Sequence, residues 1–420
     1  MKKRRLIFYT VMGILGAVMI SATAAAAYYA YVTDRTLNEV TSPEQAGILF
    51  SVYVSSEDPA QTLEDIKGYP VGISRYDTDR QEFIAEKLEE AAGEPAEFVK
   101  YKDGFSLMDS LKNQKNYGII FNEALLESIQ EEPGYEWTQE GIRKVGSFEW
   151  KQEISRPEEP GEEKTLENFL VYISGIDTYG DVSLRSRSDV NLLAAVNGRT
   201  RQITLVATPR DFYVEFSGTN GQKDKLTHAG IYGADASVDA LEKLYGVNID
   251  YYVKMNFSGF MDIIDALGGV EVYSEYDFTV ENVKHYKKGY NQLNGIEALA
   301  FARERKSFAQ GDYQRAAHQM EVIRGVLKKC SSPAILGNYA EVMEGVGDCF
   351  ETNMSKSQIR YLAGRQILSN KEWSVESYTV RGEDSSELTY SMPGRKLYVI
   401  LPDPDSVSRA AAMLNKTAGL

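Results

Sequence analysis

The stretch Ile173–Asp211, ISGIDTYGDVSLRSRSDVNLLAAVNGRTRQITLVATPRD, decides the fold, because its charges stand at the ends of its apolar runs. Asp177 closes one run, Arg185, Arg187 and Asp189 open the next, and Arg210 and Asp211 close a third. Asn197-Gly198 separates the second run from the third, and this dipeptide favours a two-residue type I′ turn between antiparallel strands. With a second reversal in the polar loop between Asp177 and Arg185, strands Phe169–Ile176, Asp189–Val196 and Arg201–Ala207 run up, down and up. The charges then share one edge of one sheet. Carboxylates hold Mg²⁺ and guanidinium forks grip phosphate in pairs, so the set suits a polyanion met together with a metal. Singly, each residue is also what an ordinary salt-bridged strand end carries.

The 420-residue chain has room for two domains plus appendages. Its start departs from globular composition. Met1–Arg5 (MKKRR) is the basic head, and the uncharged stretch 6–30 after it is long enough to span a bilayer. The positive-inside rule keeps the head in the cytoplasm and places the remainder outside the cell. Ala24–Ala27 also offers a signal-peptide cleavage site, but Tyr28, Tyr29 and Tyr31 form an interfacial belt that favours a retained single-pass anchor in the cell membrane. The net charge of −15 becomes −19 without the head's four basic residues. So acidic an exterior excludes nucleic acid as a natural partner, and any polyanion must meet a local basic site. The two cysteines, Cys330 and Cys349, either stay as free, buried thiols or form the disulfide expected outside the cell, which closes a loop of about 20 residues worth about 3 kcal/mol in the chain-entropy model.

Residues 31–45 form a polar stalk, and residues 46–155 alternate strand and helix patterns as a small α/β accessory unit with no motif tied to chemistry. The Pro- and Glu-rich segment 156–164 is the linker. A second domain spans 165–330, and 331–420 is a C-terminal extension of mixed signals. Within the second domain, Phe257–Leu267 (FSGFMDIIDAL) is an apolar helix closed by Gly268 and Gly269, suited to a core or to a groove for a lipid tail.

Asn294–Asp312 (NGIEALAFARERKSFAQGD) repeats the charged theme. Asn294 and Glu297 suit a capped helix start, after which the chain is expected to extend, so that Arg303 and Arg305 point to one side. From about Gly311 a helix aligns Asp312, Arg315 and Gln319, with Ala316, Met320, Ile323 and Leu327 as its packing stripe. The three histidines have no zinc spacing, and there is no Walker loop and no serine nucleophile elbow. His228 and His318 are expected to donate or accept hydrogen bonds. A glycosidase carboxylate pair is poorly served, since arginines hold a catalytic acid ionised.

Taken together, these residues resemble the LytR-CpsA-Psr family of cell-wall phosphotransferases. The matching segments lie between Phe169 and Lys329: GID ending at Asp177, RSD at Arg187–Asp189, TPRD ending at Asp211, DKL at Asp224–Leu226, LNGIEALAFARER ending at Arg305, and GDYQRAAHQ ending at Gln319. The accessory unit is similar to that of the capsule-associated branch. The resemblance implies an α/β fold, an α/β/α sandwich around a mixed central sheet, with a groove for a polyprenyl chain. It also implies transfer of a glycopolymer, such as capsule or teichoic acid, from a polyprenyl pyrophosphate carrier in the membrane lipid onto peptidoglycan. By matching position, Asp177 and Asp189 are the Mg²⁺ ligands. Arg187, Arg210, Arg303 and Arg305 bind the pyrophosphate, with Lys225, Asp312, Arg315 and Gln319 completing the pocket. Asp189 or Asp211 accepts the attacking hydroxyl's proton. His318 and Thr227-His228 depart from the family's usual residues on the acceptor side. Removing Arg187 or Arg303 is expected to abolish transfer and leave folding intact.

Overall fold

The computed structural model describes residues 45–153, 166–179, 181–331, 349–369 and 371–419. The head, the anchor, the linker and all of the stalk but its last residue lie outside them. Among the described residues no helix is long and apolar enough to cross a membrane.

The accessory unit carries strands β1 (Gln45–Ser55), β2 (Val71–Ser74), β3 (Phe98–Tyr101), β4 (Gly118–Asn122) and β5 (Ile142–Glu153), with helices α1 (Gln81–Ala92), α2 (Gly104–Lys112) and the short α3 (Leu126–Gln130). The strands form one mixed sheet in the order β3-β2-β4-β1-β5. Side chains alternate along β1, so Phe50, Val52 and Val54 pack with Ile84 and Leu88 of α1 on one face, while Tyr53 meets α2 and Ile129 of α3 on the other. β5 pairs with β1 along its whole length, although charges interrupt its sequence, because it is the edge strand.

The second unit is built on a six-stranded mixed sheet. Its meander is β6 (Asn168–Ile176), β7 (Ser188–Asn197) and β8 (Gln202–Ala207), antiparallel throughout, within a residue or so of the expected bounds. The reversal between β7 and β8 differs from expectation. Asn197 pairs with Gln202 in the ladder, leaving the four-residue loop 198–201 with Arg201 at φ +59°. Asn197 accepts from the Thr200 N–H at 3.0 Å and donates to the Thr417 carbonyl at 2.9 Å, so it belongs to the strand and not to the turn.

Helices α4 (Leu226–Tyr232) and α5 (Ala234–Tyr245) follow, then β9 (Tyr251–Met255), α6 (Phe257–Ala266), α7 (Gly295–Arg303), α8 (Gly311–Cys330), β10 (Phe350–Thr352), β11 (Ser374–Thr379) and the terminal α9 (Pro404–Ala418). The sheet order is β10-β9-β6-β7-β8-β11, with β9 and β11 parallel to β6 and β8. Leu170, Tyr172, Leu193 and Val206 face α4, α5 and α9, whereas Phe169, Val171, Leu192 and Leu205 face Met320 and the rest of the α8 stripe. Helices therefore cover both faces. Residues after 349 supply both outer strands and α9, and Met392 and Leu397 reach into the accessory core.

Cys330 and Cys349 are not bridged, contrary to the expected disulfide. Cys349 is pinned against α6, where a Cβ on Gly259 would lie 2.0 Å from its carbonyl oxygen, while Cys330 ends α8 beside Leu327 and Trp373. Burial pushes the Cys330 thiol up to about 11, which keeps it protonated and unreactive.

Candidate functional site

The antiparallel meander brings the end of β6, the start of β7 and the end of β8 together, and with them Asp177, Arg187, Asp189, Arg210 and Asp211. Arg187 is only 3% exposed. Its guanidinium bonds Glu127 and approaches Asp177 at 3.4 Å and Asp189 at 4.0 Å. Arg210, equally buried, donates to Asp189 at 2.8 Å and to Glu131 at 2.9 Å. The Thr227 hydroxyl donates to the other oxygen of Asp189 at 2.9 Å. Thr227 reaches that far because Gly230 lets α4 touch β7, and a Cβ there would stand 2.6 Å from the Ser186 carbonyl.

Burial pushes the Asp189 carboxyl up, but Arg187, Arg210 and Arg315 more than offset this and hold it well below the usual carboxylate range. Asp211 follows the same balance, with burial opposed by Lys225, 3.0 Å away, and by Arg210. Glu127 runs the other way. Burial and the like charges of Asp177 and Asp189 push its carboxyl up to about 7 against the pull of Arg187.

The second constellation meets the first from α7 and α8. Asn294 and Glu297 form the expected capping box, but α7 continues to Arg303, so Arg303 and Arg305 flank a helix end and do not sit on an extended strand. Ala and Phe at 298–302 keep the helix going because they bury Ala298, Phe301 and Ala302 in the satellite core under α8. Arg303 lies 3.7 Å from Asp177 and over the Phe257 ring at 4.2 Å. Arg305 reaches Glu131 at 3.3 Å, and Arg315 pairs with Asp312 at 3.1 Å. Gln319 donates to the Ala302 carbonyl at 3.4 Å and lines an apolar groove with Ile176, Val190, Phe257, Phe260 and Ile323, and Arg303 stands in its wall. Helix α6 thus walls a groove as well as packing, through Ile264, against the core.

Every residue singled out for chemistry but Arg185 lies in this cluster. The Arg185 side chain lines a separate cleft with Asp77 and Arg80, between the two units. The histidines hold structure. His228 joins buried Asp224 at 2.7 Å and Ser128 at 3.0 Å, and His318 bonds the Phe301 carbonyl at 3.1 Å while stacking on that ring. Glu127 and Glu131 were not legible in the sequence. They stand as an i, i+4 acidic pair in LLESIQEE, which reads as a wet helix face.

Among the described residues no three His, Cys, Asp or Glu side chains gather as a ready-made metal site. Asp177 and Asp189 nonetheless fit Mg²⁺ by chemistry: both are hard oxygen donors beside the same guanidinium, and Asp189 is held ionised. Mg²⁺ commonly takes one or two carboxylates and draws its other ligands from water and substrate phosphate.

The family model for the LytR_cpsA_psr family matches residues 139–400. A Bacillus cereus protein named polyisoprenyl-teichoic acid–peptidoglycan teichoic acid transferase TagU is 37% identical over 194 residues, 46% of this chain and 63% of its own length. An Enterococcus faecalis protein of the same name is 35% identical over 206 residues, 47% of this chain and 65% of its own. The chain thus covers less than two thirds of these relatives. Among solved structures, TagT bound to LI-WTA is 27% identical at a TM-score of 0.51, covering 63% of this chain and 96% of that one. Bacillus subtilis TagV is 26% identical at 0.50, covering 60% and 98%.

Proposed function

The chain belongs to the LytR-CpsA-Psr family, and from that premise we propose that it is a transferase that moves a glycopolymer from a polyprenyl pyrophosphate carrier to a sugar hydroxyl of peptidoglycan. The observation that carries this reading is the apolar groove whose wall includes Arg303 and which opens beside Asp177 and Arg187. A ligand with a long apolar tail and an anionic head matches both parts. The names of the relatives, which speak of polyisoprenyl-linked teichoic acid, point to the same class of donor. The anchor at 6–30 holds the chain in the membrane that carries this donor, with the bulk of the protein outside.

In the reaction, an oxygen–phosphorus bond forms between the acceptor hydroxyl and the phosphorus bearing the polymer, and the bridging bond to the lipid phosphate breaks. Polyprenyl phosphate leaves. Phosphoryl transfer asks the protein for positioning and charge neutralisation more than for covalent help. Arg187 and Arg210, rigid and buried, grip the pyrophosphate, while Arg303 and Arg305 close on it from the groove side and Arg315 adds charge behind. Asp177 and Asp189 would hold Mg²⁺, which would supply further positive charge for phosphoryl transfer. Asp189 or Asp211 takes the hydroxyl proton, and Asp211, held between Lys225 and Arg210, also acts as a strut for that arginine.

The test is to incubate the full chain in detergent with lipid-linked oligosaccharide, peptidoglycan fragments and Mg²⁺. A covalent conjugate is expected. Release of polyprenyl phosphate without a conjugate replaces transfer by hydrolysis, and binding with no turnover makes the protein a lipid-phosphate binder.

A further inference from the structure

The cations and carboxylates that the second unit brings to the site do not balance. Arg187, Arg210, Lys225, Arg303, Arg305 and Arg315 face Asp177, Asp189, Asp211 and Asp312, six against four. That surplus of two positive charges, before any Mg²⁺ is counted, favours a pyrophosphate diester with its two negative charges. Two carboxyl groups of the accessory unit, Glu127 on α3 and Glu131 just past its end, already sit against these cations. Glu127 bonds Arg187, and Glu131 bonds Arg210 at 2.9 Å and Arg305 at 3.3 Å. Glu132, next along, turns instead toward Arg395, 3.9 Å away.

The placement is held from between the two glutamates. Ser128 meets His228 at 3.0 Å, and His228 is fixed by Asp224, which also accepts from the Ser391 N–H at 2.8 Å. Ser128, His228 and Asp224 are all buried. This relay docks α3 at one point and leaves a carboxylate at each end of the turn, one for each arginine of the sheet end.

We propose that α3 is an intramolecular competitor for the pyrophosphate site: Glu127 and Glu131 occupy the two anion positions, and the accessory unit thereby sets how readily the lipid-linked donor binds. The proposal rests on the phosphate-binding role given to these arginines above. Donor binding then requires α3 to withdraw its carboxylates, so anything that shifts the accessory unit regulates the enzyme.

The experiment measures geranylgeranyl pyrophosphate binding by calorimetry to the full chain and to the Glu127→Gln/Glu131→Gln double variant, with Glu132→Gln as control. Glutamine keeps the size and loses the charge, and thermal melting checks the fold. The double variant is expected to bind about tenfold tighter or better, since two charge-assisted contacts no longer compete, while Glu132→Gln matches the unaltered chain. Amide exchange adds a direct readout: pyrophosphate should speed exchange across 123–131 in the unaltered chain. Equal or weaker binding by the double variant, or slower exchange in that segment, overturns the gate and makes the glutamates props for the arginines. Failure of both proteins to bind the probe overturns the phosphate-site reading itself.

Discussion

The two arginine pairs of the site are made of the same chemistry and set in opposite ways. Arg187 and Arg210 root at a sheet end, are 3% and 6% exposed, and are surrounded by carboxylates. Arg303 and Arg305 hang from the end of α7, with side chains 51% and 38% exposed, and their contacts to Asp177 and Asp312 are long. The buried pair is therefore part of the fold as well as the site, because a desolvated carboxylate tolerates its surroundings only while its partner is present. The exposed pair is free to follow a ligand. The burial of Arg187 predicts that its removal costs stability as well as transfer, whereas the exposure of Arg303 fits the expectation that folding survives its removal.

The largest effect belongs to the buried pair. Arg210→Ala leaves Asp189 and Glu131 without their shared partner and is expected to cost about 3–5 kcal/mol in urea unfolding; a loss below about 1 kcal/mol would erase the distinction between the pairs. Arg303→Ala comes next. Its stability should stay within about 0.5 kcal/mol of the unaltered chain, while polymer transfer falls on the order of 10²–10³-fold, as for loss of one charge-stabilising donor.

His318 sharpens the comparison further, since it underlies the exposed pair by stacking on Phe301 at 4.0 Å between ring centres. Burial pushes its imidazole down to about 4, below the ordinary 6.5. The folded state thus favours neutral His318, so its contribution is whole above pH 6.5 and is lost as pH falls from about 6.5 toward 4, at about 1.4 kcal/mol per unit and about 3 kcal/mol in all. His318→Phe should remove that slope from a set of melts across this range, and an unchanged slope would refute the assignment. The smallest effect is expected of Phe257→Ala, which takes away the ring under Arg303. Donor affinity should drop a few-fold, matching about 0.5–1 kcal/mol for an exposed cation–π contact, with Arg187 contacts untouched.

Much of the frame was legible because it is periodic. Strands β6 to β9, helix α5 and the α8 stripe repeat at two or 3.6 residues, and the capping pair Asn294/Glu297 is a local signal. The failures were of two kinds. Asn197-Gly198 and the Arg303–Arg305 segment were read by local preference alone, and in both places packing set the outcome: pairing with Gln202 claimed Asn197 for the strand, and burial of Phe301 and Ala302 carried α7 onward. The partners of the α3 glutamates and the unbridged state of the cysteines were invisible for a different reason. Which partner a side chain meets across the fold leaves no mark in its own neighbourhood.

The sequence by itself therefore determined the alternating faces of the meander, the stripe of α8 and the gathering of charge at one end of the sheet, since each follows from spacing along the chain. Only the tertiary structure decided which charges pair. Glu127 stands 60 residues before Arg187, and Glu131 stands 174 before Arg305. An electrostatic contact depends on distance in space, and separations of that length carry no period from which it can be read.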